Sequence, residues 1–459
     1  MIITLMIIVF VLGYIAIALE HKIKVDKAAS ALLIGGITWA LLAMGVTDLI
    51  GSSLKEAYEH FIHLYPNDTN NEFKFLNYEL AHHLSDIGEI LFFLLAAMTI
   101  VELIDAHQGF SIVTDRITTT NKVTLMWILC IITFIFSAVL DNLTTSIVMA
   151  ALITKLIKDK EDLWMFAGMI IISANAGGAF SPMGDVTTIM LWVGEQITFF
   201  NIIKQLFIPS VVCLLVPLIY ISFKLKGNIE RPELTQFEEH TLNPTTSFER
   251  NLIFFIGVAG LLFVPLFKMT FHLAPYIGML ISLGFLWVIT EIIHRSKNHE
   301  VKSHLSVIGV LKKVDTSTIF FFLGILLAVA ALQTAGQLNI VAEYLQITFT
   351  GESGIYAINI IIGLLSSIVD NVPLVAGAMG MYEIGEVVPG KLQYPTDHTF
   401  WEFLAYCAGT GGSVLIIGSA AGVAVMGILK INFIWYIKNI SLLALMGYLA
   451  GAATYIIMQ

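Results

Sequence analysis

Apolar residues run along this chain in spans of roughly twenty, near 1–19, 28–46, 87–106, 123–157, 163–193, 199–223, 251–268, 273–293, 316–335, 354–381, 400–428 and 433–457. A helix of that length crosses about 30 Å of hydrocarbon. Four spans break the pattern. Span 123–157 is too long for one crossing and carries Asp141-Asn142 at its middle, and span 354–381 carries Asp370-Asn371-Val372-Pro373. A polar pair inside a long apolar run predicts a helical hairpin with the pair at its tip; the alternative is two ordinary crossings joined by a tight turn. Spans 163–193 and 400–428 are interrupted by glycines and polar residues, SANAGGAFSPMGDVTTIMLW at 173–192 and CAGTGGSVLIIGSAAG at 407–422. They predict helices broken within the membrane.

Composition agrees with this pattern. Of 459 residues, 57% are hydrophobic and 13% charged, where a soluble domain carries about 25% charged residues. The expectation is an all-α polytopic membrane protein with the lipid bilayer as its first partner. The N-terminal MIITLMIIVFVLGYIAIALE lacks the basic start and small-residue cleavage site of a secretory signal, so it counts as a membrane helix. The net charge of −10 offers no basic patch to nucleic acid. Cys130, Cys213 and Cys407 lie in apolar spans without metal or pairing spacing and are read as small buried hydrophobes.

The chain repeats itself. A shift of 229 residues lays Phe92-Phe93-Leu94 on Phe321-Phe322-Leu323 and Asp141-Asn142 on Asp370-Asn371. After a five-residue insertion the shift becomes 234, and Ala174, Gly177-Gly178 and Gly184 fall on Ala408, Gly411-Gly412 and Gly418. Each half (1–223 and 250–459, joined by a linker at 224–249) then holds three helices, a hairpin, a broken helix and a last helix. The count of crossings per half is odd, so the second half is inverted. With the N-terminus outside and both hairpins re-entrant, the cytoplasmic loops hold 18 of the 24 lysines and arginines and the external loops four, as positive-inside orientation requires. The expected architecture is about ten full crossings plus two hairpins.

Inverted repeats with discontinuous helices are a transporter architecture, whose ion sites lie where unwound backbone lines a cavity near the midplane. Glycine pairs permit the break, and Pro182 frees a carbonyl. Glycines alone would signify close helix packing; the Asn, Asp and Thr residues beside them favour an ion site. A carboxylate at that depth costs about 2.5–3.5 kcal/mol on insertion scales. Desolvation disfavours its charged form, so it is poised to hold a proton or a small cation in turn. Sodium and lithium are hard cations that take oxygen ligands. Asp141, Asp185, Asp370, the amides of Asn142, Asn175 and Asn371, and the hydroxyls of Thr187, Thr188, Ser366 and Ser413 offer them. None of the four arginines lies in a span, which favours a cation over an organic anion as substrate. Glu89 and Glu102, thirteen residues apart and read as near one face of the third helix, are candidates for a proton path. The histidines at 60, 63, 82 and 83 are read as part of a solvated external loop rather than as a pH sensor or zinc site.

At these motifs the sequence resembles the NhaD-type sodium/proton antiporters of the ion transporter superfamily. The matching stretches are ANAGGAFSPMGDVTT at 174–188, LDNLTTSIVM at 140–149, LFFLLAAMTIVELIDAH at 91–107 and SSIVDNVPLVAGAMGMY at 366–382. The resemblance implies exchange of cytoplasmic sodium or lithium for external protons, with no cofactor and no enzymatic activity. It carries a role in ion binding to Asp141, Asn142, Asn175, Asp185, Thr187, Thr188, Ser366 and Asn371, with Ser413 and Ser419 as weaker matches. It also implies a homodimer in a bacterial inner membrane, whose hairpins and broken helices shuttle against a scaffold. The alternative function is a sodium-coupled carrier of a dicarboxylate or oxyanion with the same fold. The second broken segment has no acid, so the exchange chemistry is expected at Asp185.

Overall fold

A computed structural model describes residues 2–18, 20–50, 54–65, 71–114, 117–231, 245–295, 297–386 and 392–459. Half of the expected 224–249 linker, residues 232–244, lies outside them. The principal helices are α1 (Ile2–Ala18), α2 (Lys27–Ile50), α3 (Asn71–Ala106), α4 (Lys122–Leu140), α5 (Asn142–Leu156), α6 (Lys160–Ala179), α7 (Val186–Val193), α8 (Phe199–Lys224), α9 (Ser247–Phe271), α10 (Pro275–Ile293), α11 (Thr316–Thr334), α12 (Gly351–Ser366), α13 (Asn371–Met381), α14 (Thr399–Gly411), α15 (Ala420–Leu429) and α16 (Phe433–Met458, with a π-helical turn at Ile437–Ser441). Among the described residues eight helices are long and apolar enough to cross a membrane. The chain is an all-α polytopic membrane protein.

Helix starts follow local chemistry. Asn121, Asp159 and Asp315 accept the N3 amides of α4, α6 and α11, and Thr246 with Glu249 forms a capping box at α9. Each cap satisfies amides that the first helical turn leaves without partners. Each of the four spans expected to be interrupted is divided into two helices. A single non-helical residue, Asp141, separates α4 from α5. Four residues, 367–370, separate α12 from α13.

The N-terminal part of α3 departs from expectation. The region of His60, His63, His82 and His83, read as a solvated external loop, holds most of the helix Lys55–Leu64 and the first turns of α3. Phe61 and Phe75 are buried there, and the Phe61 ring lies 5.1–5.8 Å from those of Tyr65, Phe75 and Tyr78. This aromatic cluster gives a polar sequence a buried side to fold on. His83 likewise lies within α3, its Nε2 3.0 Å from Thr334 Oγ1. Glu89 and Glu102 do not share a face. They lie on one continuous helix, and thirteen residues at 3.6 per turn turn the second about 220° from the first.

The chain divides into two compact units that cut across its duplicated halves. One comprises residues 1–91, 315–358 and 372–396, the other 92–314, 359–371 and 397–459. In the first unit α1 and α11 pack on α2. A Cβ at Gly324 would fall 2.4 Å from the Ala31 carbonyl carbon, so α2 and α11 meet backbone to backbone. In the second unit α4 and α5 pack on α6, α8 packs on α16, and α9 packs on α10.

The duplication persists in the contacts of the second unit. A Cβ at Gly177 would lie 2.2 Å from Phe134 O, and one at its counterpart Gly411 would lie 2.0 Å from Gly363 O. Ser137 Oγ donates to Ala174 O at 2.6 Å, and Ser366 Oγ donates to Ala408 O at 2.8 Å. The residues after the breaks, Asp185 and Ser419, have nearly the same backbone angles, (−144°, 147°) and (−138°, 150°), and each caps the half-helix that follows. Hairpin and broken helix are thus joined twice by the same backbone geometry.

Two buried histidines clasp helix ends in the second unit. His107 follows α3 and His294 follows α10, with their Nε2 atoms 2.7 Å apart and the rings stacked. His107 Nδ1 lies 2.7 Å from Leu103 O. A carbonyl only accepts, so that nitrogen carries the hydrogen. The neutral His107 ring then accepts at Nε2, and His294 Nε2 donates. His294 Nδ1 has no hydrogen-bond partner among the described residues. Burial, with the His107 ring and the Lys297 ammonium nearby, pushes His294 down to about 4; burial also lowers His107. Between about pH 6.5 and 4 the unfolded chain therefore binds more protons than the folded one, and stability falls as pH falls. Thermal unfolding in detergent is expected at a lower temperature at pH 4.5 than at pH 7, and His294→Phe is expected to flatten that dependence.

Candidate ion site

Four features of the second unit converge on one buried cluster: the tips of both hairpins and the two helix breaks. The α6 break runs from Phe180 to Asp185, and its glycine contacts set its shape. A Cβ at Gly178 would lie 2.4 Å from Gly184 O, and one at Gly184 would lie 2.8 Å from Ser137 O. Only glycine permits so close an approach of the two strands of chain and the hairpin beside them. The Asn142 amide nitrogen then donates to Gly184 O at 2.9 Å, tying the first hairpin tip to the break.

Asp185 stands at the centre of the cluster and is 1% exposed. Its Oδ1 accepts from the Thr187 amide and hydroxyl, both at 3.0 Å. Its Oδ2 accepts from Asn142 Nδ2 at 2.7 Å. Asn371 Nδ2, from the second hairpin, reaches both oxygens at 3.3 and 3.2 Å. Thr188 Oγ1 donates to Asp185 O and accepts from its amide, completing the cap of α7. The helix N-terminus adds positive potential next to the carboxylate. No lysine or arginine is among these partners.

Asn175 carries the network to the other break. Its Oδ1 accepts from Asn142 Nδ2 at 3.1 Å, and its Nδ2 donates to Ser413 Oγ and Ser419 Oγ at 2.9 and 3.0 Å. Eight of the expected residues (Asn142, Asn175, Asp185, Thr187, Thr188, Asn371, Ser413 and Ser419) therefore form one continuous polar network, each no more than 5% exposed. Their amides all present nitrogen to a neighbouring oxygen. An amide turned over would present its oxygen instead, which is what a hard cation requires.

The remaining expected residues are placed differently. Asp141 directs its carboxylate to the Thr144 amide and hydroxyl at 2.7 and 2.8 Å, capping α5. Its backbone lies at φ 94°, ψ 156°, a region that costs a non-glycine residue about 1–3 kcal/mol. The strain is the consequence of turning a hairpin on one residue. Ser366 gives its hydroxyl to Ala408 O and so joins backbone to backbone. Asp370 is half-buried beside Asn371 at the second tip.

One buried acid was not singled out from the sequence. Glu402, on the first turn of α14, is 2% exposed. Its Oε2 accepts from Tyr455 Oη at 2.5 Å, and its Oε1 accepts from Asn201 Nδ2. The available signal was a carboxylate lying three residues inside an apolar span.

Comparison with known proteins places the chain in a transporter family. Residues 1–394 match the family model described as citrate transporter, CitMHS. The chain is 41% identical to Sodium/proton antiporter 1 of Arabidopsis thaliana over 98% of its length and 72% of that protein. It is 40% identical to Sodium/proton antiporter 2 of the same plant, covering 98% of both. It is 28% identical to the Na(+)/H(+) antiporter NhaD of Vibrio cholerae over 98% of this chain and 91% of that protein.

The glycine contacts generate a stability test. Gly177→Ala forces Cβ against Phe134 O and is expected to cost at least the roughly 1–3 kcal/mol of an overpacked core. Gly427→Ala meets open space on α15 and is expected to be neutral or mildly stabilising. Melting temperatures of the two purified variants in one detergent check the contrast.

Proposed function

The chain belongs to the citrate-transporter family and to its NhaD-type sodium/proton-antiporter branch, and we propose that it exchanges sodium or lithium for protons at the Asp185 cluster by alternating access. The observation that carries this reading is a buried carboxylate held only by neutral donors from both hairpins and its own half-helix. A cation of small radius and hard character fits that oxygen-rich network. The names of the plant and bacterial relatives support sodium and protons as the exchanged ions.

The chemistry follows from one negative charge. Protonated Asp185 is neutral and donates one hydrogen bond. An arriving sodium ion displaces that proton and is held by the carboxylate, by amide oxygens of Asn142, Asn175 and Asn371, and by the hydroxyls of Thr187, Ser413 and Ser419. Thr188 keeps the α7 cap in place. Asp141, at its strained turn, is the second carboxylate of the proposed site, and Asp370 and Ser366 support the tip of the other hairpin. In either loaded state the charge is neutralised. The bare carboxylate is the costly state in a low-dielectric interior, so movement between the two sides is favoured only when one ion or the other is aboard. That is coupling.

The reading extends to assembly. The hairpins and broken helices of halves 1–223 and 250–459 move as one part against the remaining helices, in a homodimer within a bacterial plasma membrane. Glu89 and Glu102 are assigned to proton access from two sides of α3. No cofactor is required, and the chain acts as a carrier rather than an enzyme.

The family description also names citrate, and converging helix N-termini attract anions. In this cluster Asp185 already occupies the place where those N-termini would seat an anion, and that favours a cation. Everted vesicles with a pH dye separate the readings. Addition of Na⁺ or Li⁺, but not K⁺, is expected to move protons, and Asp185→Asn is expected to reduce that movement more than tenfold. Normal movement in Asp185→Asn would overturn the assignment. Sodium-dependent uptake of labelled citrate without proton movement would establish the anion carrier instead.

A further inference from the structure

Glu402 occupies a place in the second unit that the ion cluster does not use. Its helix, α14, passes directly beside Asp185: a Cβ at Gly409 would lie 3.7 Å from Asp185 Oδ2. Glu402 and Gly409 are seven residues apart on this uninterrupted helix. Seven residues make two turns, so both face the same way, about 10 Å apart along the axis. The half-helix α7 packs against α14. Asp185 lies at one end of this seam. At the other end Asp397 N donates to Gln196 O at 2.8 Å, and the Asp397 carboxylate accepts from the Thr198 amide and hydroxyl. Glu402 therefore stands between the chain surface and Asp185, on the face that looks along the seam.

Its partners suit a group that changes protonation. Asn201 and Tyr455 both donate to the carboxylate. If Glu402 takes up a proton, the tyrosine hydroxyl can turn to accept it and the amide can present its oxygen. Either state is satisfied, which a lysine or arginine partner would not allow. The charged or titratable groups around it include Asp397 and His398 at the head of α14, Tyr406 one turn on along the same helix, and Tyr455 from α16. Gln196, whose carbonyl accepts from the Asp397 amide, is 6% exposed, and its Oε1 has no hydrogen-bond partner among the described residues.

The duplicated half differs at the corresponding positions. At the repeat shift Glu402 falls on Gly168 and Tyr455 on Ile221. The corresponding seam there is closed by Trp164 and Trp435, whose rings lie 5.2 Å apart, with Trp164 Nε1 bonded to Leu429 O. One seam is plugged by indoles and the other is lined by a carboxylate.

We propose that Glu402 is a proton relay between Asp185 and the surface at the head of α14, the end that the lysine and arginine distribution places outside. Glu402 takes a proton from the outer water and passes it, through water admitted along the seam, to the Asp185 carboxylate as sodium leaves. It then returns to the carboxylate held by Tyr455 and Asn201. This rests on the sodium/proton reading above.

The test uses the full chain in proteoliposomes and two assays: sodium-driven proton movement and exchange of labelled for unlabelled sodium, which needs no proton. Wild-type protein is measured first, and absence of proton movement there overturns the exchange reading itself. Given a coupled wild type, Glu402→Gln is expected to lower proton movement at least tenfold with sodium–sodium exchange within twofold of wild type. Glu402→Asp is expected to recover part of the proton movement. Tyr455→Phe, which preserves the ring packing, is expected to lower proton movement severalfold and leave sodium exchange unchanged. Proton movement within twofold of wild type in Glu402→Gln, or equal loss of both activities in Glu402→Gln and Tyr455→Phe, would overturn the relay.

Discussion

A carboxylate withdrawn from water without a basic partner governs this structure. Asp185 is almost fully buried, and its bonded neighbours are amides, a hydroxyl and a backbone N–H. Burying an unpaired charge costs several kcal/mol even after relaxation. Two structural features offset that cost: a helix N-terminus beneath the carboxylate and side-chain donors from both hairpins. Each requires an interruption of regular helix. An unbroken α6 would leave no N-terminus at mid-depth, and an unbroken α4–α5 run would carry Asn142 elsewhere.

The interruptions in turn depend on backbone contact. Gly177 lies on the carbonyl of Phe134, and Gly411 on that of Gly363. Ser137 and Ser366 then spend their hydroxyls on carbonyls of the broken helices. In a bilayer interior a carbonyl freed at a break has no water to turn to, so neighbouring protein must satisfy it. Glycine and serine at these positions are the frame of the site. This places Ser366, expected among the ion ligands, in the frame.

The two halves share this frame and differ in chemistry. The capping position is Asp185 in one and Ser419 in the other, and Asn175 bridges them. A second carboxylate there would add a like charge to a low-dielectric site. A serine supplies an oxygen without that repulsion. The asymmetry extends outward to the seams, where Glu402 stands opposite Gly168 in the repeat.

The sequence by itself determined the membrane class and the order of apolar helices, and it pointed to the duplication and the two breaks. These follow from composition and from local backbone preferences, which neighbouring residues fix. It also identified the polar residues that meet at the site, because polar groups are costly at depth and so stand out. Tertiary structure decided what each one does. Asp141 caps its own helix while Asn142, one residue on, reaches Asp185, a division set by a turn that no spacing reveals. The polar helix Lys55–Leu64 and the first turns of α3 have a buried side because Phe61 meets Phe75. Glu402 looked like the edge of an apolar span until α8 and α16 brought Asn201 and Tyr455 to it. These partners lie 201 and 53 residues away in the chain. Hydrogen bonds across such separations depend on how helices pack, and packing is decided by the whole fold.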